Sequence, residues 1–262
     1  MFVPTLHLDG RDYQCLLINF IQLAFGEADV AKVMRDSGNI EEAAHLMSSC
    51  IDTYLKSVDR AKYTEVHPKY ASMLAISGLM QRDLGDLSKA QKNLDKALVI
   101  QEKIQSQQNL MKAETMCSLA TVYHQLGDRH KAIGHLDSAL DVMKDICYTH
   151  PITATISCAL ARVLMDTGDL HSARSSLEEA IKIRTVCCGH YHPSNALYHM
   201  LLVEVQNQLG DMSSAQEHCT MAKEIYKTVY RREKSLSDEA GLNPPVLALW
   251  HKQIDKSSSS II

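Results

Sequence analysis

A glycine followed by Asp or Asn occurs five times in this chain, at Gly38-Asn39, Gly85-Asp86, Gly127-Asp128, Gly168-Asp169 and Gly210-Asp211, at intervals of 47, 42, 41 and 42 residues. Each glycine carries the same frame. Five residues on stands Ala43, Ala90, Ala132, Ala173 or Ala215, and twelve on stands Cys50, Ala97, Ala139, Ala180 or Ala222. Seven residues before it are Ala31, Gly78, Ala120, Ala161 and Val203, and five before it Val33, Met80, Val122, Val163 and Val205. A period near 42 held in register this often makes the chain a stack of like units, because a unit this small buries its apolar face only against neighbours.

The frame describes two antiparallel helices. Apolar residues at −8, −5 and −1 mark one face of a first helix, and those at +5, +9 and +12 one face of a second. The Gly-Asp pair between them supplies a turn where positive φ is tolerated. Small residues at −7, +5 and +12 let the helix axes approach to the near end of the usual 8–10 Å. The core palette agrees: aromatic residues are only 5% of the chain, with 45% apolar residues overall, so Leu, Ile, Val, Met and Ala must fill the interior. Close-packed helices use that set well.

With its small residue, turn glycine and two alanines of the second helix at these offsets, the frame resembles the tetratricopeptide repeat over roughly residues 20 to 230. The 42-residue period and the dipeptides His67-Pro68, His150-Pro151 and His192-Pro193, each 18 residues before its turn glycine, resemble the kinesin-light-chain subtype. Ala71, Ala154 and Ala196 follow each His by four; in the third unit Asn109-Leu110 stands for His-Pro and Ala113 keeps the frame. Proline suits the first turn of a helix and pushes the residue before it out of helical conformation, so each His-Pro is expected to start a first helix. The resemblance implies an all-α, right-handed superhelix (α-solenoid) of five hairpins.

The boundaries expected from the sequence are a lead-in at 1–19, five repeats over 20–230, a polar linker at 231–243, a capping helix at 244–255 and a flexible tail at 256–262. The first unit is irregular: Gly26 to Ala31 reads as a linker ahead of a shortened first helix. Val246, Leu249, Trp250 and Ile254 lie on one stripe after Pro244-Pro245, as a cap over the last hairpin would require. Ser260-Ile261-Ile262 fits the C-terminal pattern that PDZ domains take by strand addition.

The family binds extended or helical peptides along the first helices of its hairpins, at −13, −10, −6, −3 and −2 from the turn glycine. Carried over, −6 holds Lys32, Leu79, Thr121, Arg162 and Glu204; −3 holds Arg35, Arg82, His124, Met165 and Asn207; Gln125 stands at −2 in the third unit. Three Arg and one Lys on one wall favour an acidic protein or peptide ligand. Carboxylates at −2, Asp36, Asp83 and Asp166, are the nearby counter-charges. The subtype's asparagines at −10 are replaced by Ala75, Cys117, Cys158 and Met200, and the Lys, Asn and Arg set of chaperone adaptors is not reproduced.

Other classes fit less well. A net charge of −4 offers no field for neutralising nucleic-acid phosphates. The longest apolar run, Cys15 to Phe25, is interrupted and too short for a bilayer. The first ten residues lack a basic start and a long apolar run, so a cytoplasmic chain with reduced thiols is expected. Cys187-Cys188-Gly189-His190-Tyr191-His192 gathers soft ligands without the spacing of a closed zinc site, and no His stands beside a recurring nucleophile or acid. The expectation is a non-enzymatic scaffold or adaptor without cofactor. The alternative is an assembly subunit of a motor- or cilium-related complex that binds through its convex face or tail; a third is a metal-dependent protein centred on Cys187 to His192.

Overall fold

In the computed structural model, the residues described are 10–61, 67–104 and 109–240. They form ten helices and no strand: α1 (Gly10–Asp36), α2 (Ile40–Ala61), α3 (Pro68–Asp83), α4 (Leu87–Lys103), α5 (Asn109–Gln125), α6 (Arg129–Ile146), α7 (Pro151–Thr167), α8 (Leu170–Cys188), α9 (Pro193–Leu209) and α10 (Met212–Ala240). The chain divides into two compact units, Met1–Tyr148 and Thr149–Ile262. Within each unit every helix packs on its neighbours in sequence, the α-solenoid arrangement of tetratricopeptide hairpins.

The repeat frame works at both ends of each hairpin. His67, His150 and His192 sit in extended conformation at the N-caps of α3, α7 and α9, with the proline in the first turn. Each imidazole Nδ1 accepts from the backbone N–H two residues on, at 3.1, 3.2 and 3.2 Å. The histidine therefore replaces the usual Ser or Asp cap. At the turn, the five frame glycines have φ between 80° and 97°. Asp86, Asp128, Asp169 and Asp211 then cap the second helices, each carboxylate accepting from the N–H three residues on.

The small residues lie where the two helices of a hairpin touch. All ten residues at +5 and +12 are buried. At −7, Gly78 shows why size matters there: a Cβ would lie 2.7 Å from Leu94 Cγ and 3.1 Å from the Ala90 carbonyl oxygen. In the first unit, Ala24, Phe25, Met47, Tyr54, Tyr70, Leu74 and Met80 belong to one core. In the second, Ala161, Leu177, Ile183, Tyr198 and Leu202 do the same.

Two segments depart from the sequence reading. Residues 26–31 are not a linker; α1 runs unbroken from Gly10 to Asp36, starting inside the expected lead-in. A lone helical glycine costs only about 1 kcal/mol against alanine, and Ala24, Phe25, Ala28 and Ala31 recover it by packing inward. Residues 231–240 are likewise helical, as the end of α10. Their charge suggested a linker, but Arg, Glu, Lys, Leu and Ala are good helix formers and no Gly or Pro intervenes before Gly241. The capping helix at 244–255, Trp250 and the tail lie outside the described residues.

Candidate functional site

The first helices of the first unit, α1, α3 and α5, lie side by side and bring together most of the sequence-derived site residues. Asp83 stands at their centre. Its carboxylate accepts from Arg82 Nε at 3.0 Å and Arg82 Nη2 at 2.6 Å, and its other oxygen from Arg35 Nε at 3.4 Å. Arg82 Nη1 reaches forward to donate to Thr121 Oγ1 at 3.2 Å, and that hydroxyl donates to the Ser118 carbonyl at 2.7 Å. One chain of hydrogen bonds thus crosses three consecutive hairpins.

The side chains of Arg35, Arg82 and Asp83 are each 23% accessible. Two guanidinium groups around one carboxylate leave a net charge of +1, and exposed Lys32 stands on the same helix as Arg35. A surface ion pair by itself adds little stability. Here the pairing does something else: it fixes two forked donors in place with some of their N–H groups toward solvent. His124 is half-buried and Gln125 exposed at the end of α5.

In the second unit, Arg162 on α7 and Glu204 and Asn207 on α9 are exposed, and Met165 is half-buried. The wall is therefore mixed: basic at Arg162, acidic at Glu204. At −10 the structure corrects the carry-over, because Cys117 and Cys158 are buried and line no open face. Burial pushes the Cys158 thiol up to about 11.

The Cys187 to His192 segment is engaged otherwise. Cys187 Sγ donates to the Thr149 carbonyl at 3.4 Å, His192 caps α9, and His190 meets the Tyr191 ring edge-on. Among the described residues no group of three or more His, Cys, Asp or Glu is gathered as metal ligands. The seven cysteines from Cys50 onward are all free thiols. No helix among the described residues is long and apolar enough to cross a membrane.

Sequence reasoning missed two polar clusters of the second unit. Arg184 on α8 is buried and its Nη2 donates to the Pro151 carbonyl at 2.9 Å, Thr155 Oγ1 at 2.8 Å and Tyr198 OH at 3.1 Å, tying α7, α8 and α9 together. Its position, 16 residues after the turn glycine, holds Tyr54, Gln101, Met143 and Tyr226 in the other hairpins, so no single residue type marks it. Between α9 and α10, His199 Nδ1 and His218 Nδ1 lie 3.1 Å apart, and His199 Nε2 is buried without a hydrogen-bond partner among the described residues. Burial, then the neighbouring His218 and His190, push the His199 imidazole down to about 4.

Known proteins confirm the class. The tetratricopeptide repeat family profile matches residues 69–145 and 152–228, more than half of the chain, and the chain belongs to that family. The solved structures it resembles include the nearly identical TPR-like repeats of a candidate kinesin light chain from Podosopora anserina, with 19% identity over 79% of this chain and 96% of that one and a TM-score of 0.62. BtubC (BKLC) from P. vanneervenii aligns with 19% identity over 82% and 92%, TM-score 0.62. The Rap conjugation gene regulator of plasmid pLS20, solved with the Phr* peptide, aligns with 18% identity over 86% of this chain and 58% of its own, TM-score 0.63. No curated protein sequence matches significantly. The chain thus belongs to a family of protein-interaction scaffolds that are in general not enzymes.

Proposed function

We propose that this chain is an adaptor that holds an acidic segment of a partner protein against α1, α3 and α5, with Lys32, Arg35 and Arg82 as the recognising cations and Thr121, His124 and Gln125 as flanking polar contacts. The observation that carries this reading is the Arg35–Asp83–Arg82–Thr121 network. Asp83 orients both guanidinium groups in advance, which lowers the ordering a ligand must supply. A ligand carboxylate can then take the outward N–H donors in place of water. Arg162, Glu204 and Asn207 give the second unit a mixed polar surface of its own. The Phr* complex of the Rap regulator is a precedent for a peptide held by a fold neighbour.

The test is affinity capture from lysate with the tagged chain and with its Arg35→Glu/Arg82→Glu/Arg162→Glu form, read by mass spectrometry and followed by titration of the captured segment. The variant should lose a discrete prey set, with affinity down at least about tenfold and helical circular dichroism unchanged. An unchanged prey set would overturn the basic-face reading and place the interaction on other faces or the tail.

A further inference from the structure

The positions 15, 12, 8 and 5 residues before the turn glycine are where a first helix meets the helix that precedes it. In α3 they hold Tyr70, Met73, Ser77 and Met80, and in α9 Asn195, Tyr198, Leu202 and Val205, all of them buried. Tyr70 stacks on Tyr54 of α2, and Tyr198 bonds Arg184 of α8, which confirms the direction of this face. In α1 the same four positions hold Leu23, Gly26, Val30 and Val33. Leu23 is 55% exposed, Val30 54% and Val33 67%, and a Cβ added to Gly26 would touch nothing within 4 Å. An apolar stripe built to the pattern of a stacking face is left uncovered by the described residues.

We propose that this stripe is the seat of a second copy of the chain, with the two α1 helices packed antiparallel about a two-fold axis at Gly26. The stripe is self-complementary. Asn19, Leu23, Gly26, Val30 and Val33 follow one another at alternating steps of four and three, the seam that helix pairs use. Turned end for end about Gly26, the stripe sets Leu23 against Val30 of the other copy and Asn19 against Val33, while the two glycines allow close approach of the axes at the centre. On one flank Gln22 falls beside Asp29 of the other copy, an amide donor against a carboxylate. On the other, exposed Phe20 falls beside half-buried Met34, and between them Glu27 meets its own copy, its carboxylate accepting from the Cys50 thiol of its own chain at 3.8 Å. An isologous contact of this kind closes at two copies.

Size sets the strength. Turned about Gly26, α1 overlaps its copy over residues 16–36, about 30 Å of helix. A strip about 10 Å wide along it covers roughly 300 Å² per copy, well under half of a standard interface, so the dimer is a weak one. Lys32 and Arg35 lie on the opposite side of α1, so this contact stands or falls independently of the acidic-ligand face.

Sedimentation of the full chain across the micromolar range, up to several hundred micromolar, is the first arm of the test. The wild type should pass from monomer to dimer, and Val30→Asp/Val33→Asp should raise the midpoint at least about tenfold without loss of helicity, since neither side chain is in the core. The second arm is Gly26→Cys under mild oxidation, which places two thiols at the axis and should give a disulfide-linked dimer that the wild-type cysteines do not give. A chain that stays monomeric throughout would overturn the proposal. So would a dimer that ignores both the Asp substitutions and Gly26→Cys, which would lie on another surface.

Discussion

Tyr54 and Arg184 occupy the same place in their hairpins, yet they close the joint to the next hairpin by opposite means. At the joint of α2 and α3, Tyr54 stacks on Tyr70 at 4.8 Å between centroids and meets Phe25 tilted at 5.5 Å, a ring-on-ring contact reinforced by the His67 ring stacked on Phe25. At the joint of α8 and α9, Arg184 lies over the Tyr198 ring and reaches three oxygens from two other helices. Helix periodicity fixes that this position must be buried against the next hairpin and leaves its chemistry open. A stacked aromatic pair tolerates change in pH and fails through a cavity; a buried cation holds its neighbours in one arrangement and fails through unmet hydrogen bonds.

Truncation should show this most strongly. Tyr54→Ala is expected to destabilise the first unit by about 4 kcal/mol, the range for emptying an aromatic site in a packed core, with hydrogen exchange rising in α2 and α3. Arg184→Ala should cost about 3 kcal/mol in the second unit by orphaning Tyr198 OH and removing packing, whereas Arg184→Met should recover more than half of that loss by filling the volume. If the two Arg184 variants unfold alike, packing is not what the arginine contributes.

Acid should separate the units further. His199 is held neutral, with its titration moved down to about 4 from an ordinary value of 6.5. His218 is also lowered, by burial, against the opposing pull of Glu178, Glu217 and Asp211. In this window the unfolded chain binds more protons than the folded one. The stability contributed by neutral His199 is therefore complete above about pH 6.5, falls as the pH drops toward 4, and is gone below it. Exchange in α9 and α10 measured across that interval should rise in the wild type and respond less in His199→Phe. His67 and His135 of the first unit are lowered too, by burial first, so the comparison is one of degree.

The smallest effect should be equal on both sides. Asp86→Ala and Asp169→Ala each remove one cap of the same geometry, and each should cost about 1 kcal/mol. A large difference between them would mean that the hairpins are less alike at their turns than their φ angles indicate.

These contrasts also mark what could be read from the chain alone. The turn glycines, the alanines at +5 and +12 and the His-Pro starts are local requirements of a hairpin, so they recur and reveal its fold. Gly26 misled because a glycine without proline beside it is compatible with either a helix or a linker, and inward packing decides. The charged stretch at 231–240 misled for the same reason. At the candidate site, Arg35, Arg82 and Thr121 were legible as positions in a frame. The role of Asp83 as the carboxylate joining two of them depends on how neighbouring helices are set side by side, which no spacing within one repeat encodes. The Arg184 and His199 clusters are single departures from the frame, and a single departure carries no periodic signal.

The caps have a consequence for how such a chain comes apart. With His67, His150 and His192 closing the first helix of their hairpins and an aspartate closing the second, the helix ends are satisfied from within the same 42-residue stretch. Cohesion between hairpins, by contrast, resides wholly in the lateral joints. Chemical stress would therefore open a lateral joint within a unit, and a hairpin freed there, with its apolar face uncovered, would unfold as one piece.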